Sequence, residues 1–201
     1  IGLIAFTVLI TWQRGRVIVT KARDVAEGPL REFVADITHR EPPLTRIPGT
    51  AIFLNRGSET APLSLRANVD HNHVLHQHII IMSIDTPPVP RVPDKERITV
   101  DDLGSSYDGI FFVSARFGYM ERPNVPAALR LVNPADTEGI VDIDNASYFL
   151  SRLDLCAGDK PTLAPWRKRL FIATSHMTAD AAGYFGLPLD QTVIIGARIE
   201  V

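Results

Sequence analysis

The sequence predicts a mixed α/β fold, a β-sheet with flanking helices that is preceded by the end of a transmembrane helix. Three observations predict it. Residues 46–84 read as strand, helix, strand: a Pro48-Gly49 turn leads into Ala51-Ile52-Phe53-Leu54, a helix-compatible segment covers 61–70, and Ile79-Ile80-Ile81-Met82 follows. Apolar β-branched runs bounded by turn residues suit strands buried on both faces, and a helix between them makes a parallel crossover the economical connection. Beyond this unit, strand-like and helix-like segments continue to alternate, as they do when a sheet is extended on both sides. Finally, Ile1 to Thr11 carry no charge, Trp12 follows, and Arg14, Arg16, Lys21 and Arg23 come next.

That first stretch also predicts location. As a helix, Ile1 to Thr11 reach about 16 Å, roughly half the hydrocarbon thickness of a bilayer, so they are expected to be the closing half of a membrane helix whose beginning lies upstream. The positive charges follow the apolar run, the reverse of a signal peptide. Trp12 suits the interfacial belt and the arginines the cytoplasmic side, which places the chain after Gly15 in the cytoplasm. The alternative is a buried N-terminal helix of a soluble protein. The expected organisation is the end of a transmembrane helix over 1–15, connecting helices over 16–43, and a cytosolic α/β domain over 44–201.

Each element has its own signals. Ile18, Ala22, Val25 and Ala26 continue the first helix on one side, and Glu27-Gly28-Pro29 breaks it. Leu30, Phe33, Val34 and Ile37 recur at helical spacing in a second helix that ends at His39 to Pro43. In the central unit, Thr60 is placed to cap the helix, Pro62 to occupy its first turn, and Leu65 and Val69 to face inward. Pro87, Pro88, Pro90 and Pro93 exclude helix and central strand, so an extended crossing is expected, with Arg91, Lys95 and Arg97 read as solvated charge. Ile98, Val100 and Leu103 alternate with polar residues, a turn covers 104–109, and Ile110 to Phe117 complete an antiparallel hairpin. Pro126 opens a helix through Ala127, Leu129 and Val132, and Tyr148-Phe149-Leu150 with Leu153 form a strand. From Thr162 the chain is expected to carry its longest helix, with Trp166, Leu170, Ala173, Met177, Ala181 and Tyr184 along a core-facing stripe. Gly186 and Pro188 stop it before a last strand, Thr192 to Val201.

The 201 residues, 45% hydrophobic and 22% charged, suffice for one globular core, and a net charge of -2 gives no nucleic-acid footprint. Cys156 is the only thiol, which precludes an internal disulfide and reads as a small buried hydrophobe. Four histidines, His71, His73, His76 and His78, lie within eight residues, and neutral imidazoles at such spacing can supply nitrogens to zinc. Their spacing matches no standard site, and no HExxH or cysteine pair accompanies them. We read them as structural, capping the preceding helix and bonding to loop backbone, with His78 turned into the strand, and keep a metal site as the alternative. Asp101-Asp102 and Asp142 with Asp144 read as solvated turn acids. The chain holds no GxSxG elbow, no phosphate loop and no GxGxxG, and Asn55-Arg56-Gly57-Ser58 is a poor substitute for a glycine-rich turn. No catalytic residue and no cofactor is therefore assigned.

Several segments together carry a resemblance. They are Trp12-Gln13-Arg14-Gly15-Arg16, Arg46 to Phe53, Asn68 with His71-Asn72 and Val74-Leu75-His76, Val89-Pro90-Arg91-Val92-Pro93 with Glu96-Arg97, Ala115 to Glu121, Ser147 to Leu150, Trp166-Arg167, and Tyr184-Phe185-Gly186-Leu187-Pro188. In this order they resemble the C-terminal part of bacterial Kup potassium transporters, of the Kup/HAK/KT family. Lysine or arginine is more usual in that family at His73 and His78, and an acidic residue is more usual near Ile194 and Ile195. The resemblance implies a multi-pass cell-membrane protein taking up potassium with protons, with this chain as the end of its last helix plus a regulatory or stabilising cytosolic domain and no enzyme. It implies the membrane portion of the same transporter as partner, with potassium and protons bound outside this chain. A homodimer and cyclic di-AMP remain open as partners. The functional alternatives are a nucleotide-binding module of universal-stress type and a metal-dependent enzyme using His71 to His78.

Overall fold

The computed structural model describes residues 2–104, 108–137, 142–156, 163–175 and 181–200. Along the chain come α1 (Gly2–Glu27), α2 (Leu30–Thr38), β1 (Thr45–Asn55), α3 (Leu63–Ala67), β2 (Val74–Asp85), α4 (Asp94–Arg97), β3 (Ile98–Asp101) and β4 (Ile110–Arg116). The order continues with α5 (Val125–Leu129), β5 (Ser147–Cys156), α6 (Pro165–Ser175), α7 (Ala181–Tyr184) and β6 (Thr192–Glu200). The strands form one mixed sheet in the order β3-β4-β2-β1-β5-β6. The pairs β1 with β2, β2 with β4 and β1 with β5 are parallel, and β3 runs antiparallel to β4. The expected strand, helix, strand unit is thus the centre of the sheet, and the expected hairpin is its edge.

Two compact units divide the chain, one of residues 27–151 with 180–195, the other of 1–26, 152–179 and 196–201. In the first, both faces of the sheet are covered. One face brings Phe53, Ile79 and Ile81 against Leu30, Phe33, Val34 and Ile37 of α2 and Leu65 of α3. The other brings Ile52, Ile80 and Met82 against Val125, Ala128 and Leu129 of α5 and Tyr148 of β5. This is why Ala51 to Leu54 and Ile79 to Met82 read as unbroken apolar runs: successive residues face opposite layers and both layers are dry. Each such fully buried side chain contributes roughly 1.5–3 kcal/mol by leaving water. In the second unit, Trp12 and Phe171 pack with ring centroids 5.4 Å apart, and Gly15 is buried where any Cβ would meet the Phe171 ring.

Several expectations need correction. The helix between β1 and β2 is short, α3 followed by a π-turn over Asn68–Asn72, because His73 takes a left-handed φ of 55° and redirects the chain into β2. Thr60 does not cap it: Pro62 stands at the N-cap, and the Thr60 hydroxyl donates to Glu27. The longest described helix is α1, not the segment from Thr162. Trp166 and Tyr184 of the expected stripe are 55% and 59% exposed, Met177 lies outside the described residues, and Phe171 is the buried aromatic of α6. Arg97 is not solvated, with only 12% of its side chain exposed. Among the described residues, no helix is long and apolar enough to cross a membrane.

Candidate functional site

The chain passes from β1 to β2 on one side of the sheet and returns to place β5 on the other side of β1. Open α/β sheets place ligand crevices at such a reversal, outside the carboxyl ends of the strands. Here the reversal lies beyond Asn55 of β1 and the Ser147 to Ser151 stretch of β5. The Asn55 side-chain amide donates to the Thr60 carbonyl and, at 2.9 Å, to the Gly57 carbonyl, which closes the loop on itself. Ser64 donates its backbone N–H to the Ser151 hydroxyl at 3.0 Å and so ties α3 to β5.

The corner between α1 and α2 enters the same loop. Glu27 is fully buried and accepts from the Thr60 hydroxyl at 2.5 Å, with an Arg56 guanidinium nitrogen 3.8 Å away. Arg66 donates from Nε to the Glu27 carbonyl, Ala61 N–H to the Gly28 carbonyl at 3.1 Å, and Leu30 N–H to the Glu59 carbonyl at 2.9 Å. Gly28 makes the corner at φ 62°, a conformation open to glycine at little cost. No periodicity in the sequence marks Glu27 or Thr60 as partners, since they stand 33 residues apart.

A second construction stands at the carboxyl ends of β2 and β4. The proline-rich strap after Asp85 folds over the 117–121 loop, with Tyr119 N–H to the Val89 carbonyl at 3.0 Å and Met120 N–H to the Pro90 carbonyl at 3.1 Å. Glu121 fastens it by accepting from Gly118 N–H at 2.7 Å, Val92 N–H at 3.0 Å and Arg97 at 2.9 Å. Those bonds, the Arg97 guanidinium first and then the Gly118 and Val92 amides, pull its carboxyl down to about 2. Arg97 also binds Asp94 and the Val92 carbonyl and lies over the Phe117 ring at 4.9 Å. Gly118 admits no side chain, because a Cβ there would collide with the Pro90 carbonyl.

The histidines divide rather than converge. His71 and His73 are exposed at the turn, whereas His76 and His78 are half-buried in β2. The Nδ1 atoms of His76 and His78, the Thr50 hydroxyl and one Asp108 oxygen are buried without a hydrogen-bond partner among the described residues. Burial pushes the His76 imidazole below its ordinary value. His73 stands at the C-cap of the π-turn in the left-handed conformation, and beside it the Asn72 amide donates to the Asn68 side chain at 2.7 Å. Among the described residues, no group of three or more His, Cys, Asp or Glu side chains is arranged to hold a metal ion. A cavity of about 410 Å³ opens elsewhere, lined by Ile80, Leu129, Val132 and Ile143 with Arg130, Asp142 and Asp144. The turn acids are partly engaged: Arg130 and Asp144 pair at 2.7 Å, and Arg31 and Asp101 at 2.6 Å.

The strap residues Val89 to Arg97 and the loop residues Ala115 to Glu121, two of the segments that carry the resemblance, are therefore halves of one brace. A family model described as the K+ potassium transporter C-terminal domain matches residues 48–201. The chain belongs to this family. Over its full length it is 63% identical to the probable potassium transport system protein Kup of Rhodococcus jostii (strain RHA1), of which it covers 31%. It is 36% identical, again over the full chain, to the probable Kup 2 of Syntrophobacter fumaroxidans (strain DSM 10017 / MPOB), covering 30% of that protein. Against the probable Kup of Anaeromyxobacter sp. (strain Fw109-5) the identity is 38%, with 98% of this chain and 29% of the relative covered. The chain thus spans less than a third of the length of these relatives. No solved structure matches it.

Proposed function

We propose that this domain is the cytosolic end of a multi-pass potassium uptake transporter of the cell membrane, one that carries potassium with protons, and that it stabilises or regulates the membrane part. The observation that carries the reading is the family match over 48–201, together with relatives named as potassium transport proteins. The first turns of α1 support the attachment: Leu3, Phe6 and Leu9 are 79%, 61% and 66% exposed and stand just before Trp12 and the arginines. An uncharged helix face of this kind suits lipid or other membrane helices better than water. In this reading 1–15 ends the last transmembrane helix, 16–43 connects, and 44–201 is the cytoplasmic domain. It performs no catalysis. Potassium and protons bind among membrane helices outside this chain, where selectivity is set by coordinating oxygens. A homodimer and cyclic di-AMP are the further partners to examine.

Removing residues 44–201 from the whole transporter is expected to lower assembly or maximal uptake rate far more than potassium selectivity. A potassium-over-sodium preference that collapses in a truncated protein still inserted at normal levels would overturn the reading. The attachment has its own test: a chain starting at Arg16 is expected to stay in solution without detergent, whereas the chain from Ile1 requires it. Equal behaviour of the two would count against a membrane exit at Trp12.

A further inference from the structure

We propose that the loop at the carboxyl end of β1 is a socket for a small oxyanion, filled in this structure by the chain's own Glu27 carboxylate. Glu27 is fully buried, takes the Thr60 hydroxyl at 2.5 Å, and has Arg56 at 3.8 Å, yet it belongs to the end of α1 and not to the loop that receives it. The loop is shaped without the Glu27 carboxylate, by the Asn55 amide, which holds the Gly57 and Thr60 carbonyls, and by the backbone bonds from Leu30 N–H to the Glu59 carbonyl and from Ala61 N–H to the Gly28 carbonyl. The site also lies at the strand-order reversal, where sheets of this kind take their ligands. In the first turn of α3, Ser64 is fully buried with a hydroxyl that has no hydrogen-bond partner among the described residues, so donor capacity at this end of the sheet is not exhausted. A carboxylate removed from a buried place beside a guanidinium leaves donors that a free carboxylate or phosphate can satisfy.

Filling the socket from within adds the Glu27 side chain to the backbone bonds that hold the Gly28 corner to this loop, and filling it from outside removes that side-chain tie. The ligand class is a compact anion with two or more acceptor oxygens. Nothing in this inference depends on the transport reading, and it is tested on the 201-residue chain alone.

The experiment is chemical rescue. Glu27→Ala and the unaltered chain are melted in sodium formate, inorganic phosphate, and sodium chloride at matched ionic strength. The variant is expected to lose several degrees of Tm in chloride. Formate should restore most of the loss, growing with the logarithm of its concentration once the site is half filled, while the unaltered chain does not respond. Equal response of both chains, or of neither, would overturn the socket. Should Glu27→Ala fail to fold, Glu27→Gln combined with Arg56→Ala decides the matter. Arg56→Ala is expected to lower Tm when Glu27 is present and to have little effect when Gln stands there. Additive losses would mean that Arg56 does not serve an anion at this place.

Discussion

At the leading end of β2 and β4, Thr50, His76, His78 and Asp108 each keep a buried atom without a hydrogen-bond partner among the described residues. At the trailing end of the same two strands, Glu121 fills both carboxylate oxygens and Arg97 spreads its donors over Glu121, Asp94 and the Val92 carbonyl. An unpartnered buried polar atom forfeits its hydration without return, whereas a charged group with all its bonds made holds its neighbours in one arrangement. The trailing end is therefore the rigid one. The leading end keeps polar capacity in reserve.

The largest expected effect comes from breaking the rigid end. Glu121→Ala orphans two backbone N–H groups and a largely buried guanidinium and should cost about 2–3 kcal/mol in denaturant unfolding. A loss under about 0.5 kcal/mol would show that the brace is slack. Next comes pH. The Glu121 carboxyl is held at about 2 in the folded chain, below the ordinary 4.5, so its contribution is complete above pH 4.5 and is lost as pH falls toward 2. Glu121→Gln should flatten the stability profile in that window, and an unchanged slope would contradict the bond pattern.

A smaller effect belongs to the leading end. The His76 imidazole is lowered by burial, so the unfolded chain binds its proton more readily. Its contribution is present above about pH 6.5 and declines as pH falls below that value. His76→Phe, which keeps the 5.8 Å edge contact region with Phe149 apolar, should be nearly neutral at pH 8 and stabilising by under about 1 kcal/mol at pH 5.5. Destabilisation by Phe at both pH values would mean that the imidazole has a partner. The smallest effect concerns metal: a chelator should leave Tm unchanged, and stoichiometric zinc that is lost on replacing His71 and His76 together would reverse the structural reading of the histidines.

What the sequence made legible was local. Ala51 to Leu54 and Ile79 to Met82 announced strands dry on both faces, and Leu30, Phe33, Val34 and Ile37 announced the buried side of α2, because each signal lies within one element. The two constructions that matter at the carboxyl ends were not legible. Arg97 and Glu121 are 24 residues apart and Glu27 and Thr60 are 33 apart, so their pairing depends on topology and not on spacing. Arg97 looked like surface charge because proline-rich segments usually run through water. Its burial follows from the strap lying down on Phe117, which no periodicity encodes.

The antiparallel edge strand β3 has a consequence for company the sheet can keep. It is only four residues long, follows directly on α4, and its last residue, Asp101, is tied to Arg31. So brief and charged a border offers another polypeptide few free amides to zip onto. Self-assembly by strand addition, whether into pairs or into fibrils, is therefore disfavoured on that flank.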